Sequence, residues 1–233
     1  MEELKQQLDK INLKLDNKVV ERLWKFKEIV LEKNKVLNLT GITEDKDFIL
    51  KHLIDSLSVL PYIPNTSKDI IDIGTGAGFP GVPIKIAVPK LNVTLLDSSK
   101  KKVKFLNETI KELDLENIKA VGERAEDLGM DKNYREKFDV AISRAVALLP
   151  VLVEYSLPFV KVGGIFIAQK TQNEEELKSA ERAISLLGGK IKEIVSIKID
   201  DLPERSLIII EKISKTTTNF PRKPGVASKE PIS

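Results

Sequence analysis

Apolar residues repeat at helical spacing through residues 1–62. Val19, Leu23, Phe26, Val30 and Leu37 fall near one face, and Ile49, Leu53, Leu57 and Leu60 follow at steps of four, four and three. Such helices should pack against a larger body. Between them Asn38-Leu39-Thr40-Gly41-Ile42 reads as a turn in which Asn38 and Thr40 bond nearby backbone. On the following helix His52, Asp55 and Ser56 stand three and four positions apart and share a polar face, turned either to a site or to solvent.

Past a loop carrying Pro61, Pro64, Asn65 and Ser67 the period changes. Short β-branched runs alternate with amphipathic helices, the pattern of a βαβ series. Strands are predicted at 70–73, 93–96, 118–121, 138–142 and 165–168. Ser98 or Ser99 caps a helix whose Val103, Leu106, Ile110 and Leu113 face the sheet. A second helix carries Leu148, Leu149, Leu152 and Val153, and a third, from Asn173 to about residue 187, buries Leu177, Ala180, Ile184 and Leu187. Runs 191–199 and 206–213 are joined by about six residues, too few for a helical crossover, so they must be antiparallel.

The expected fold is therefore α/β, a Rossmann-like sheet of seven strands ending in an antiparallel hairpin. An N-terminal helical extension (1–64) packs on the main domain (65–213), and a tail (214–233) follows. With Pro221, Pro224 and Pro231 and no periodicity, the tail is expected to be extended, basic and exposed, without a helix. Its other readings are a disordered terminus or a segment packed on the N-terminal helices through Phe220.

The first strand runs straight into glycine. Ile70, Ile71 and Ile73 precede Gly74, Gly76, Gly78 and Gly81, Asp72 stands just before them, and Pro80 and Pro83 set the first helical turn at about 79–82. Strand, glycine turn and helix start let backbone approach a ligand closely and offer free N–H groups to an anion. Residues 76–81 also spell G-x-G-x-x-G, with Asp97 where an acid could reach a ribose, so the loop alone fits NAD or S-adenosylmethionine. The closing hairpin favours the latter. Dinucleotide folds normally continue with parallel crossovers, whereas class I S-adenosylmethionine-dependent methyltransferases end their seven-stranded sheet in this way.

Composition narrows the chemistry further. The absence of cysteine excludes disulfides, thiolate metal sites and cysteine nucleophiles, and one histidine, His52, excludes a histidine-built metal cluster. No metal is expected. A net charge of +3 permits nucleic acid without requiring it. No apolar run approaches the ~20 residues of a membrane span, and the first residues lack the apolar core of a signal peptide, so the expected compartment is the cytoplasm.

Ligands of open α/β sheets sit beyond the carboxyl ends of the strands. There Gly74, Gly76 and Gly78 would underlie the cofactor's amino-acid moiety, Asp97 would accept from ribose hydroxyls, and Ala125 and Glu126 would border the adenine. Arg144, between Ser143 and an apolar helix start, must find acceptors; it is the leading side chain beside the transferred methyl, as a positioning group. Candidate RNA contacts are Asn38, His52, Lys100 in the lysine-rich 100–104 turn, Lys170 at a strand end, and Arg222, Lys223 and Lys229 in the tail.

These motifs converge on one pattern. Asp72-Ile-Gly-Thr-Gly-Ala-Gly-Phe-Pro-Gly-Val-Pro-Ile84, the upstream Asn38-Leu-Thr40 and His52-x-x-Asp-Ser-Leu57, the central Arg124-Ala-Glu126 and Ser143-Arg-Ala145, and the tail Phe220-Pro-Arg-Lys-Pro-Gly225 together resemble the RsmG family. This is the bacterial ribosomal RNA guanine-N7 methyltransferase family also called glucose-inhibited division protein B. The resemblance covers nearly the whole chain, with one departure, Ala227 where the pattern has proline.

It implies S-adenosylmethionine as cofactor, S-adenosylhomocysteine as product, and methylation of N7 on the guanine conventionally numbered 527 in 16S ribosomal RNA, in the 530 loop. By motif it makes Gly74, Phe79, Ala125, Glu126 and Arg144 cofactor contacts. It also implies 16S ribosomal RNA, the small subunit or an assembly intermediate as partner, no membrane, and a monomer. Guanine N7 carries a lone pair and no proton, so in-line attack on a sulfonium methyl needs no general base. The alternatives are an NAD-dependent oxidoreductase and a non-catalytic ribosome-binding protein.

Overall fold

Seven runs of aliphatic residues assemble into one sheet in the computed structural model, which describes residues 1–171, 174–199 and 202–232. They are β1 (Asp69–Ile73), β2 (Asn92–Leu96), β3 (Ile118–Val121), β4 (Phe138–Arg144), β5 (Val160–Thr171), β6 (Gly189–Ile197) and β7 (Arg205–Lys212). The order is β3-β2-β1-β4-β5-β7-β6; β1 to β5 are parallel, and β7 is antiparallel to both neighbours, as the short β6–β7 connection demands. The sequence of strands reverses between β1 and β4, which opens a crevice at their carboxyl ends.

Alternation along the strands builds two cores. Ile70, Val140, Ile142, Ile165 and Ile167 face one side, where Phe26, Phe48, Leu53, Val82 and Leu106 meet them. These come from α2 (Asn17–Leu37), the helical segment of residues 45–57, α5 (Gly81–Ala87) and α6 (Lys100–Glu112), and α1 (Glu2–Lys10) adds Leu4 and Leu8. Ile71, Ala141, Phe166 and Ala168 face the other side, covered by α8 (Leu149–Ser156) and α9 (Glu174–Leu186). A short α7 (Ala125–Leu128) follows β3.

Segment 45–57 departs from a plain α-helix. It joins α3 (Asp45–Phe48) to α4 (Asp55–Leu57) through a π-helical stretch, Ile49–Ile54. His52, Asp55 and Ser56 are all buried, at 9%, 2% and 0% exposure, so their polar face is turned inward and not to solvent. In the preceding turn it is Asn34, not Asn38, whose carboxamide accepts from Leu39 and Thr40 N–H; Asn38 is the exposed left-handed residue ending α2.

β4 runs two residues past its expected end, to Arg144, and β5 begins earlier than expected, with Gly163 at φ +87° where its register against β4 slips. Of the expected positions, Asn173 and Ser233 lie outside the described residues.

The tail differs most from expectation. It is folded, not extended, and its residues 226–229 form a helical turn, α10 (Val226–Lys229). Polar groups on the second face capture its backbone: Arg135 donates to the carbonyls of Thr216, Thr217 and Phe220, and Glu154 accepts from Arg222 N–H at 2.8 Å. Pro221 and Ala227 are buried, and Phe220 packs on the α8 side of the sheet, away from the N-terminal helices. Periodicity could not show this, because irregular chain held by distant side chains has no period.

Candidate active site

Two carboxylates shape the glycine turn. Asp72, fully buried, accepts from Thr75 Oγ1–H at 2.6 Å and from Gly81 N–H at 2.8 Å, both on Oδ2, and so fixes the turn to the start of α5. Asp97 accepts from Gly76 N–H and Ser99 N–H, each at 2.9 Å, which ties the end of β2 to the same turn and to the start of α6. Gly76, at φ +61°, has open space within 4 Å of where a Cβ would stand; at Gly74 that atom would lie 2.5 Å from Val146.

Above the turn lies a cleft of roughly 200 Å³ lined by Gly74, Asp97, Ala125, Glu126, Val146 and Tyr155. Asp97 keeps lone pairs free beside the two it uses and lines this cleft. The open flank of Gly76 leaves room for an amino-acid moiety to approach backbone. The donor set therefore suits a nucleoside bearing an amino-acid arm. Glu126 is held in place from the tail, whose Gly225 N–H donates to its Oε1 at 2.9 Å.

A second, larger cavity of about 530 Å³ flanks the other side of the 144–146 segment. Its hub is Arg144, which donates to Lys51 O and Asp55 Oδ2, both at 2.8 Å, and meets His52 Nδ1 at 3.2 Å. The π-helical turn supplies Lys51 and His52, and Asp55 follows directly after it. Because Arg144 can only donate, we assign Nδ1 as the acceptor and Nε2–H as the donor to Thr40 Oγ1, 2.8 Å away. The His52 ring stacks on Phe79 at 4.4 Å and 11°, with the Arg144 guanidinium also over Phe79. The next residue, Ala145, is left-handed at φ +55°, a strained conformation at the strand end.

Gly74, Asp97, Ala125 and Glu126 share the first cleft, while Arg144, His52 and Lys170 share the second cavity. Phe79 lies in neither: it is 5% exposed, inside an aromatic cluster with Phe26, Phe48 and His52. Lys170 pairs with Glu176 at 2.6 Å, and Arg222 is paired with Glu154. Lys100, Lys223 and Lys229 are exposed. Asp55, Gln169 and Arg205, which also line the second cavity, were missed as site residues. Only Asp55 left a trace in the sequence, its helical spacing from His52.

Burial sets two pKa values against each other. Burial and then the Arg144 charge lower His52 from 6.5 to about 3, whereas burial raises Asp72 from 3.8 to about 6 despite its hydrogen bonds to Thr75 and Gly81. His52 thus contributes stability present above pH 6.5 and lost as pH falls toward 3. Asp72 contributes stability present below 3.8 and lost as pH rises through 6. Between these limits the slopes oppose, each at most about 1.4 kcal/mol per pH unit. Asp72→Asn should therefore steepen the loss of stability on acidification from pH 6 to 4, and His52→Gln should flatten or reverse it. Denaturant melts at four pH values check this; unchanged profiles in both variants would refute the assignment.

Three comparisons bear on what this site does. The family model described as rRNA small subunit methyltransferase G (GidB) matches residues 19–208. The chain is 48% identical over 221 residues to ribosomal RNA small subunit methyltransferase G of Acetivibrio thermocellus, covering 94% of this chain and 91% of that protein. It is 50% identical over 236 residues to the same-named protein of Alkaliphilus oremlandii, covering 98% and 97%. Among solved structures, M. jannaschii TYW2 in complex with AdoMet shares the fold at TM-score 0.54 and 16% identity, over 69% of this chain and 76% of that one. Ribosomal protein L11 methylase from Lactobacillus delbrueckii subsp. bulgaricus does so at 0.54 and 15%, over 75% and 81%.

Proposed function

The chain belongs to the rRNA small subunit methyltransferase G family, and from that premise we propose that it transfers the methyl group of S-adenosylmethionine to N7 of guanine 527 in 16S ribosomal RNA. The enzyme is an S-adenosylmethionine-dependent methyltransferase of 16S ribosomal RNA with a Rossmann-like seven-stranded fold. The reading rests most on one observation, the pair of cavities flanking 144–146 at the end of β4: one offers carboxylates to a nucleoside, the other presents Lys51, Arg144 and Arg205 to RNA.

In this reading Gly74, Gly76, Asp97, Ala125 and Glu126 hold the cofactor, whose sulfonium supplies the electrophilic methyl, while Gly78, expected there too, is buried at φ +100° against Val82, Leu106 and Phe26 and shapes the turn from within. Phe79 supports Arg144 from beneath, and Arg144 positions the base. His52 is neutral, and both its nitrogens are engaged, so it has no free basic atom to offer; N7, bearing a lone pair and no proton, requires none. Catalysis is then proximity and orientation. Exposed Lys100, Lys223 and Lys229, with Asn38, contact phosphate; Lys170 and Arg222 act through their carboxylate partners.

We read the helical extension, main domain and tail as one working unit, a cytoplasmic monomer acting on the small subunit or its assembly intermediate. No helix among the described residues is long and apolar enough to cross a membrane.

The test is transfer of labelled methyl to 16S ribosomal RNA, with the modified guanine located by chemical cleavage at 7-methylguanosine. A methyl found elsewhere, or no transfer to free RNA or subunits, would refute the reading. Gly76→Val should remain folded by circular dichroism yet lose S-adenosylhomocysteine binding, because a branched side chain at φ +61° fills the open flank and strains the turn. Unchanged affinity would remove the glycine turn from the cofactor site.

A further inference from the structure

Buried polar atoms without a partner are uncommon in folded proteins, and each asks for a reason. Among the described residues three of them, Asp55 Oδ1, Gln169 Oε1 and Arg205 Nε, belong to side chains lining the larger cavity. Asp55 is 2% exposed and Gln169 4%. Gln169 is oriented by its own donor, since Nε2–H donates to Asp55 O at 2.8 Å and leaves Oε1 as the unused acceptor. Arg205 Nε faces Asp55 Oδ1 at 3.6 Å, beyond a good hydrogen bond, and its side chain is 27% exposed, so it is the movable member.

The strand register explains why the three converge. Arg144 pairs with Gln169 across β4 and β5, and Arg205 pairs with Thr171 across β7 and β5, which brings one residue from each of three strands to a single mouth. Asp55 reaches the same mouth from α4, its Oδ2 already committed to Arg144.

We propose that this cluster selects guanine: Asp55 Oδ1 and Gln169 Oε1 accept from the base's N1–H and N2–H groups, and Arg205, rotated off Asp55, donates to O6. The assignment rests on the reading that the substrate is a guanine methylated at N7. A guanine approached at N7 keeps its N1 and N2 donors on the edge remote from the incoming methyl, where two acceptors are needed. Adenine would set its N1 lone pair against the carboxylate. Asp55 is thus a specificity-determining group as well as the anchor of Arg144.

The test uses 16S ribosomal RNA carrying inosine, which lacks the N2 amino group, in place of the target guanosine. Wild-type enzyme should prefer guanosine by about 10–100-fold in kcat/KM, the range expected for a hydrogen bond to a buried or charged acceptor. In Asp55→Asn the carbonyl must serve Arg144, so the amide NH₂ falls where Oδ1 was. Guanosine and inosine transfer should both drop by about 100-fold or more, because both bases present N1–H to that position, and their ratio should stay near the wild-type value. In Gln169→Leu the acceptor for N2–H is gone, so the guanosine-to-inosine ratio should shrink to within about threefold, and this variant decides the matter should Asp55→Asn fail to fold.

A folded Gln169→Leu with the wild-type ratio overturns the proposal, as does a folded Asp55→Asn with the wild-type rate on guanosine, or a wild type that does not distinguish the two bases. A wild type that methylates neither base refutes the functional reading instead. A general packing defect in Gln169→Leu would lower both rates and leave the ratio unchanged.

Discussion

Replacing Arg144 by methionine is expected to cost about 3–5 kcal/mol of folding stability and to lower kcat/KM for ribosomal RNA by about 100-fold or more. The stability loss comes from Asp55, 2% exposed, which would be left buried without its 2.8 Å partner. His52 Nδ1 and Lys51 O lose a donor as well. Activity falls for a separate reason, because the cation that orients the base is gone. A double variant separates the two effects. Arg144→Met with Asp55→Leu exchanges a buried ion pair for apolar packing, which is often neutral or stabilising, so melting should recover toward wild type while activity stays low. If the single variant keeps full activity on 16S ribosomal RNA, Arg144 has no part in positioning.

The second large effect is expected at the tail. Arg222→Ala should destabilise the protein by about 3–5 kcal/mol and weaken S-adenosylhomocysteine by about tenfold, because Glu154 is 0% exposed and receives Arg222 through its backbone N–H, its Nε–H and a terminal N–H. The cofactor effect follows from chain continuity. Freeing Arg222 loosens Gly225, three residues on, whose N–H holds Glu126 at the cleft wall.

Lys223 and Lys229, both exposed, should behave in the opposite way. Changing both to glutamine should leave melting unchanged and reduce the salt dependence of RNA binding by a slope of about 0.7–0.9 for each phosphate that is no longer neutralised. Unchanged cofactor affinity in Arg222→Ala would show that the tail does not support the cleft. An unchanged salt slope in the lysine variant would remove those lysines from the RNA interface.

The parts of this architecture that were legible in the sequence are those with a period or a local signature. The β-branched run into Gly74, the short connection between the last two strands and the acid ending β2 each express a backbone requirement that only certain residues meet. What stayed hidden is pairing across distance. Asp55 and Arg144 are 89 positions apart, and Glu154 and Arg222 are 68 apart; helical spacing tells which face a residue occupies, not what waits there. Gln169 and Arg205 were invisible for the same reason, since a strand end gives a residue's height in the sheet but not its neighbours. Phe79, adjacent to the glycines, was expected at the cofactor; that its ring stacks on His52 and lies beneath Arg144 is again a pairing across distance that no local pattern shows.

The π-helical stretch Ile49–Ile54 gives this enzyme a control that substitution cannot reach. A π turn holds one residue more than the α turn it replaces, and each residue of α-helix rotates the chain by about 100°. Deleting a single codon within 49–54 would let the segment relax to ordinary α geometry with Asp55 and Ser56 kept in phase with Phe48, whereas straightening the full-length segment to α-helix would swing them about the axis by that angle. The number of residues in the turn together with its helical form, and not side-chain identity, thus sets the rotational phase between the N-terminal helices and the larger cavity. Single deletions at this turn would test whether the cavity needs the π geometry at fixed phase, and single insertions would rotate it to orientations that no point mutation samples.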